Sequence, residues 1–456
     1  MKKRTFLKTT GAIIAGSVLS PLTFCTNPEE KMEEKAVEAI RKNWAGNLEY
    51  HAKLFHEPAN IETVQAIIKE SQKIRALGSK HCFNHIADSN FAQISSRSFN
   101  KLISIDSEKM TATIGAGAKY GEVVEELHNQ GYAIHNLASL PHITIGGAIA
   151  TSTHGSGMKL GNLGAPVVGM KFVNGKGEIV NLSVEDDAET LNGVITHLGA
   201  FGLITELTLR IEPAFDVRQD IYLSLPVANL LENFNEIMGA GYSVSLFTDY
   251  QSDTVNQVWI KSRMDQGGFE SGSEFYGAIP ADRNVHPIIE ISAENCTEQM
   301  GNPGPWYDRL PHFKMNFTPS NGVELQAEYF VPLEHGAEAY QEISKLKDLI
   351  KPYLMISEIR TIAANEQWMS PFYKQDSVAF HFTLEQDWEG VKGILPEIEK
   401  ALTPFNVKPH WGKMFTLEPS VLQSRYANLN KFKEFVAEHD PEGKFRNEFM
   451  EKYLYS

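Results

Sequence analysis

Two glycine-bearing stretches limit what this chain can fold into more than any other feature. The first, Arg75-Ala76-Leu77-Gly78-Ser79-Lys80-His81-Cys82-Phe83-Asn84, reads as a tight turn directly after a strand. A Gly followed by small and polar residues lets consecutive backbone N–H groups face an anion, the nest geometry that holds pyrophosphates. The second, LPHITIGGAIATSTHGSG over 140–157, is a run of Gly, Ala, Ser and Thr that buries little side chain of its own. It makes sense where backbone must approach a flat or charged ligand closely. Either stretch alone is compatible with an ordinary turn. Neither matches G-x-G-x-x-G or G-x-x-x-x-G-K-[ST], which disfavours a Rossmann or nucleoside-triphosphate site. Together, in this order and between strands, they are specific.

The surrounding pattern alternates. Ile61 to Lys69 has apolar residues at helical spacing, and Lys73–Leu77 reads as the strand leading into Gly78. Leu102–Asp106 and Met110–Gly115 alternate at period two. Tyr120–Gln130 is an amphipathic helix stopped by Gly131. Val168–Val173 and Glu178–Leu182 form a hairpin about Asn174-Gly175-Lys176-Gly177. Leu203–Ile211 is a strictly alternating strand that closes the first region at Pro213. Beyond it, strands at Tyr242–Thr248, Gln257–Ser262, Val323–Val331, Ile356–Thr361 and Val378–Leu384 are separated by helices near 227–239, 334–350 and 390–402. Runs of strands with occasional helices predict an α+β fold whose second domain is built on an antiparallel sheet.

The 456 residues are enough for two or three domains. With 42% hydrophobic and 22% charged residues the chain has the composition of a globular protein rather than a disordered one. A net charge of −15 argues against nucleic acid as a partner. Cys25, Cys82 and Cys296 are too few and too dispersed for a disulfide framework or a cysteine zinc site. No metal site is expected: His81 and His85 are four apart, but the Gly78 turn and Phe83-Asn84 argue against a helix there.

The start is an address. Lys2-Lys3-Arg4-Thr5-Phe6-Leu7-Lys8 precedes the apolar run 11–19, too short to span a bilayer but suited to an export signal. The Lys3-Arg4-x-Phe6-Leu7 order resembles a twin-arginine signal with one Arg replaced by Lys, and an ordinary Sec signal is the competing reading. Cys25 is a candidate lipid anchor, so a periplasmic or membrane-anchored bacterial location is expected, and residues 26–40 read as a solvated tether. No later stretch is apolar and long enough to cross a membrane.

At these motifs the chain resembles the FAD-linked oxidases of the vanillyl-alcohol-oxidase type, most of all their alditol oxidase and sugar-1,4-lactone oxidase branch. "RALGSKHCFNHIADS" (75–89) is similar to the first pyrophosphate loop of that branch, "LASLPHITIGGAIATSTHGSG" (137–157) to its second flavin segment, and "LGAFGLITELTL" (198–209) to the strand beside the adenine. The resemblance implies a two-lobed flavoprotein with a PCMH-type FAD-binding domain. Residues 1–30 would be signal and tether, 31–213 the FAD domain and 214–414 the substrate (cap) domain. Residues 415–456 would pack back on the FAD domain. The cofactor residues it implies are Ala76, Leu77, Gly78, Ser79, Lys80, His81, Cys82, Ser139, Thr144, Gly147, Thr151, Ser152, Thr153, His154, Ile204 and His410. His81 would carry a covalent bond to the flavin. Cys82 stands where a small hydroxyl residue is usual, and adjacency alone does not make it a second attachment point. Ala138 would lie near the oxygen-facing side.

Oxidising an alcohol on a flavin needs a positioned carbon, an acceptor for the hydroxyl proton and compensation for charge on the reduced ring. In Ser357-Glu358-Ile359-Arg360, alternation places Glu358 and Arg360 on one strand face, a pair that elsewhere is often only solvated. His381 and Thr383 share a face in the same way. Pro409-His410-Trp411-Gly412-Lys413 is loop-like. "SEIRTI", "HFT" and "HWGK" resemble the alditol oxidase pattern in order and gaps, which implies that Ser139, Glu358, Arg360, Thr383 and Lys413 line a polyol site. Glu358, Arg360 and Lys413 would be the catalytic set. A lysine buried beside an arginine loses its proton more readily, but the sequence leaves open whether Lys413 or Glu358 is the base. His85, His142 and His154 read equally as cofactor neighbours or core polar groups, and Trp368, Phe372 and Tyr373 as core.

The expectation is an exported flavoenzyme oxidising a primary alcohol of an alditol such as xylitol or sorbitol, with O2 or another electron acceptor. The alternatives are an aldonolactone (gulono- or arabinono-1,4-lactone) oxidase or dehydrogenase, and a non-catalytic carbohydrate-binding protein. A hydrolase is remote, with no G-x-S-x-G elbow.

Overall fold

The helix Ile61–Glu70 begins where Asn60 accepts a hydrogen bond from the Thr63 N–H at 2.9 Å, and it buries Val64, Ile67 and Ile68. Those side chains pack on Ile74, Ala92 and Ile94 of a small parallel sheet, ordered Leu54–His56, Ala92–Ser95, Ile74–Leu77. The computed structural model describes residues 41–315, 317 and 324–456. The expected leader, tether and Cys25 lie outside the described residues, as does Val323.

Beside the parallel sheet stands a five-stranded antiparallel one, in the order Leu102–Asp106, Thr111–Gly115, Gly202–Arg210, Val167–Asn174, Ile179–Ser183. The expected hairpin closes as the sequence suggests: Asn174 Oδ1 accepts the N–H groups of Lys176 and Glu178, and Gly177 takes φ +74°. The helix Tyr120–Asn129 likewise ends before Gly131 at φ +89°.

The later part of the chain builds a nine-stranded sheet. Its centre runs Asp216–Pro226, Thr254–Arg263, Ser243–Thr248, Leu354–Ile362, Ser377–Glu385, Glu324–Pro332, every pair antiparallel. The strand Asp216–Pro226 was not legible from alternation, because most of its residues are buried on both faces. Two expected helices are broken. Val227–Glu232 and Phe234–Met238 are separated at Asn233, whose side chain donates back to the Asn229 carbonyl at 3.0 Å. Gly336–Ser344 and Lys347–Ile350 are likewise distinct. Trp388–Leu402 is continuous and capped by Asp387. Among the described residues no helix is long and apolar enough to cross a membrane.

Arg75 ties the first glycine turn to distant chain. Its guanidinium is buried and donates to four carbonyls: Gly199 (2.7 Å), Phe445 (2.6 Å), Ile86 (2.5 Å) and Leu198 (2.8 Å). The segment after Asp440 thereby packs onto the strand Ile74–Leu77, and Ile74 N–H also donates to the Lys444 carbonyl. Arg75→Met should strand four buried acceptors and cost at least about 3 kcal/mol, read as a fall in the chemical-denaturation midpoint. An unchanged midpoint would refute this role.

Candidate active site

The two glycine stretches meet. A Cβ on Gly78 would lie 2.4 Å from Thr144 Oγ1, and one on Gly147 2.7 Å from the same atom, so Thr144 sits between them and leaves room for hydrogen only. Ser79 Oγ accepts the Thr144 N–H at 3.3 Å, and Thr144 opens the short helix Ile145–Ala150. The run read as pure backbone approach is thus partly helical. Within the two stretches, Lys80 and Ser152 take positive φ (63° and 62°) that re-aims the chain.

This cradle forms one wall of a cavity of about 440 Å³. Leu77, Gly78, Ser79, Lys80, His81, Cys82, Ala138, Ser139, Gly147, Thr151, Thr153 and His154 line it from the first part of the chain. Glu358, Arg360, Thr383, His410 and Lys413 line it from the second, so the structure assembles nearly all the residues singled out in the sequence. Four stand behind the wall. Ala76 is on the strand below Gly78, Thr144 braces the glycines, and Ile204 is buried in the strand Gly202–Arg210. Ser152 turns away to Ser370 (3.0 Å) and Asn162 (2.7 Å).

The opposite wall follows from strand register. Glu358, His381 and Glu328 are direct cross-strand neighbours, and Ile356, Thr383 and Gln326 form the next row, all facing the cavity. Arg360 lies within this set: Nη2 is 3.1 Å from Glu328 Oε1, Nε 3.5 Å from Glu358 Oε1, and Nη1 donates to Ser139 Oγ at 3.3 Å. Burial alone would raise the Glu358 carboxyl; Arg360 and His312 overrule it and hold the group far below the usual carboxylate range. Glu328 is likewise raised by burial but pulled well down by its contacts with His154 and Arg360.

Lys413 Nζ donates to Gln326 Oε1, which also accepts from His381 Nε2 at 3.2 Å. Burial lowers the Lys413 pKa; Glu328 and Glu324 oppose that shift and Arg360 adds to it. Burial also takes His381 and His410 down to about 3, so both are neutral. The loop holding His410 and Lys413 is pinned to the first glycine turn, since Asn84 Nδ2 donates to the carbonyls of Trp411 (2.8 Å) and Lys413 (2.7 Å). Trp411 itself is core, donating to the Met369 carbonyl. His81 is held under the Trp44 ring at 4.5 Å and pushed well below the ordinary imidazole value, first by burial and then by Lys413. Burial pushes the Cys82 thiol up to about 11, which keeps it protonated and a poor nucleophile.

Sequence reasoning missed Glu324, Gln326, Glu328 and His312. The signal for the first three was present: Glu324-Leu325-Gln326-Ala327-Glu328 alternates polar and apolar, as a solvated strand face also would. His154 faces Glu328 at 3.2 Å and Phe372 is core, while His142 stacks on Trp44 outside the cavity lining. His85 is on the surface beside His51, over the buried Asp88, which accepts from His51 at 2.6 Å. That trio has ligand-type side chains but is paired within itself.

Residues 52–183 match the FAD binding domain family, and residues 317–453 match the D-arabinono-1,4-lactone oxidase family. Alditol oxidase of Streptomyces sp. is 41% identical over 415 residues, covering 90% of this chain and 98% of that protein. The chain belongs to the alditol oxidase family of FAD-linked oxidases. L-gulono-1,4-lactone dehydrogenase of Mycobacterium tuberculosis is more distant, at 25% identity over 91% of the chain and 99% of that protein. Cholesterol oxidase from Brevibacterium sterolicum has the same fold, with TM-score 0.73 at 15% identity over 94% of this chain and 99% of the other. The fold is therefore the PCMH type, and this family member is an FAD-dependent oxidoreductase.

The cavity suits that cofactor. Gly78, Ser79, Lys80 and Gly147 line it, the small and polar residues a pyrophosphate nest uses, and His81 Nδ1 is buried with no hydrogen-bond partner among the described residues.

Proposed function

We propose that the protein oxidises a primary alcohol of an alditol such as xylitol or sorbitol, with O2 as the acceptor and hydrogen peroxide as product. The observation that carries this reading is the mixed polar wall opposite the glycine cradle. A polyol hydroxyl is both donor and acceptor. The wall offers acceptors in Glu358, Glu324 and Thr383 and donors in Arg360, Lys413 and Ser139, all within one cavity. An aldonolactone also carries hydroxyls, but its ring oxygen and carbonyl accept only, so it offers the carboxylates fewer donors than an alditol of the same carbon count. The 41% identity to an alditol oxidase, against 25% to a lactone dehydrogenase, supports the same choice.

FAD, when bound, supplies the two-electron acceptor for the hydride of the alcohol carbon. The chain supplies the rest. Gly78, Ser79, Lys80, Gly147, Thr151 and Thr153 hold the cofactor, with His410 alongside. Glu358, Thr383 and Ser139 orient the hydroxyls. Lys413 takes the proton of the reacting hydroxyl: its pKa is lowered, whereas the Glu358 carboxyl is depressed and so a weak base. Arg360, a permanent cation, offsets negative charge developing beside it.

His81 carries the flavin covalently in this reading, supported by its unpartnered Nδ1 and its place in the cradle. Acid precipitation should leave the yellow colour with the polypeptide, and His81→Ala should release it to the supernatant. Colour in the supernatant of the unmodified protein would contradict the linkage. Peroxide formed in step with oxygen uptake on adding an alditol tests the overall reaction; flavin reduction without peroxide would point to another acceptor.

A further inference from the structure

We propose that Lys261 and His312 are positioning residues for the alcohol oxidation, acting through Glu358; the inference rests on the polyol reading above. Lys261, on the strand Thr254–Arg263, is 1% exposed and meets no carboxylate within ion-pair distance among the described residues. Burying a lysine without a counter-ion is costly, so its partners matter. It donates to the carbonyls of Leu310 (2.5 Å) and Pro311 (3.3 Å) and to His312 Nδ1 (3.1 Å).

A donor at Nδ1 leaves the ring proton on Nε2. That nitrogen lies 2.7 Å from Glu358 Oε1. Burial, reinforced by Lys261, lowers His312 to about 4, so the ring is a neutral one-way donor. It is wedged edge-on against Trp259 (5.1 Å) and Phe247 (5.5 Å), and its backbone N–H donates to the Ser139 carbonyl at 3.3 Å. The Lys261–His312 line thus reaches Glu358 by a route separate from Arg360. Both His312 and Arg360 meet Oε1, and Oε2 takes no hydrogen bond from protein among the described residues. The carboxylate is clamped by one oxygen and presents the other to a substrate hydroxyl.

The test is steady-state and anaerobic kinetics with an alditol on flavin-loaded enzyme. His312→Leu should raise KM about tenfold, the worth of one charge-assisted hydrogen bond, with the limiting rate of flavin reduction changed less than about threefold. His312→Gln, whose amide keeps a donor, should recover most of that loss. Lys261→Met should raise KM similarly but add nothing in the His312→Leu background, because both act on one carboxylate. Additive effects, an unchanged KM in His312→Leu, or no rescue by Gln would overturn the proposal. Should Lys261→Met fail to load flavin, the Leu and Gln variants of His312 decide it alone. A parent enzyme inert toward every alditol would instead refute the polyol reading on which the inference stands.

Discussion

Lys413→Met should slow flavin reduction by an alditol at least about a thousandfold while leaving FAD bound, the size expected when a positioned base is removed from a desolvated site. The nitrogen is held by Gln326, and the loop is pinned by Asn84, so the substitution removes a proton acceptor without unfastening the cradle. His381, His410 and Glu358 cannot replace it. His381 and His410 are taken down to about 3, and Glu358 is held lower still by Arg360 and His312. In the unmodified enzyme the rate should rise with pH as Lys413 loses its proton, at a value below that of an ordinary lysine. The Lys413→Met variant should lack that limb of the profile. Reduction of the variant at the parent rate would sink the assignment.

Arg360→Met is expected to lower both activity and stability. It removes the partner of two buried carboxylates, Glu328 and Glu358, and the donor to Ser139. Breaking a buried ion pair from one side costs about 3–5 kcal/mol, and loss of a charge-stabilising group should lower kcat at least about a hundredfold. The sign of the pH effect follows from the depressed carboxylates. Their folded values lie below the unfolded one, so they contribute stability above about pH 4 that is lost as pH falls through the folded values. Without Arg360 those values rise, and the stability gap between parent and variant should close below about pH 4. Denaturant titrations at neutral and acid pH check this; a gap that widens in acid would contradict it.

Local patterns carried much of this site. The Gly78 turn, the alternation of Glu358 with Arg360 and of His381 with Thr383, and the short His410–Lys413 loop were all legible because backbone period fixes which side chains share a face. Cross-strand register was not. Nothing in Glu324–Glu328 reveals that the strand lies beside His381 rather than at a solvated edge, since that pairing joins distant parts of the chain. His312 was harder still. It has no repeating pattern around it, and only the fold brings it between Lys261 and Glu358. The broken helices near 233 and 346 show the converse: side chains of Asn233 and Ser344 bond to the carbonyls of Asn229 and Tyr340 one turn back, where a valid apolar period is interrupted.

The central claim is that the wall of Glu358, Arg360, Thr383 and Lys413 reads a polyol. The most direct measurement is anaerobic flavin bleaching by xylitol or sorbitol set against gulono-1,4-lactone on the same preparation. Rapid bleaching by the alditol and slow or no bleaching by the lactone is the predicted result. Bleaching by the lactone alone would contradict the account.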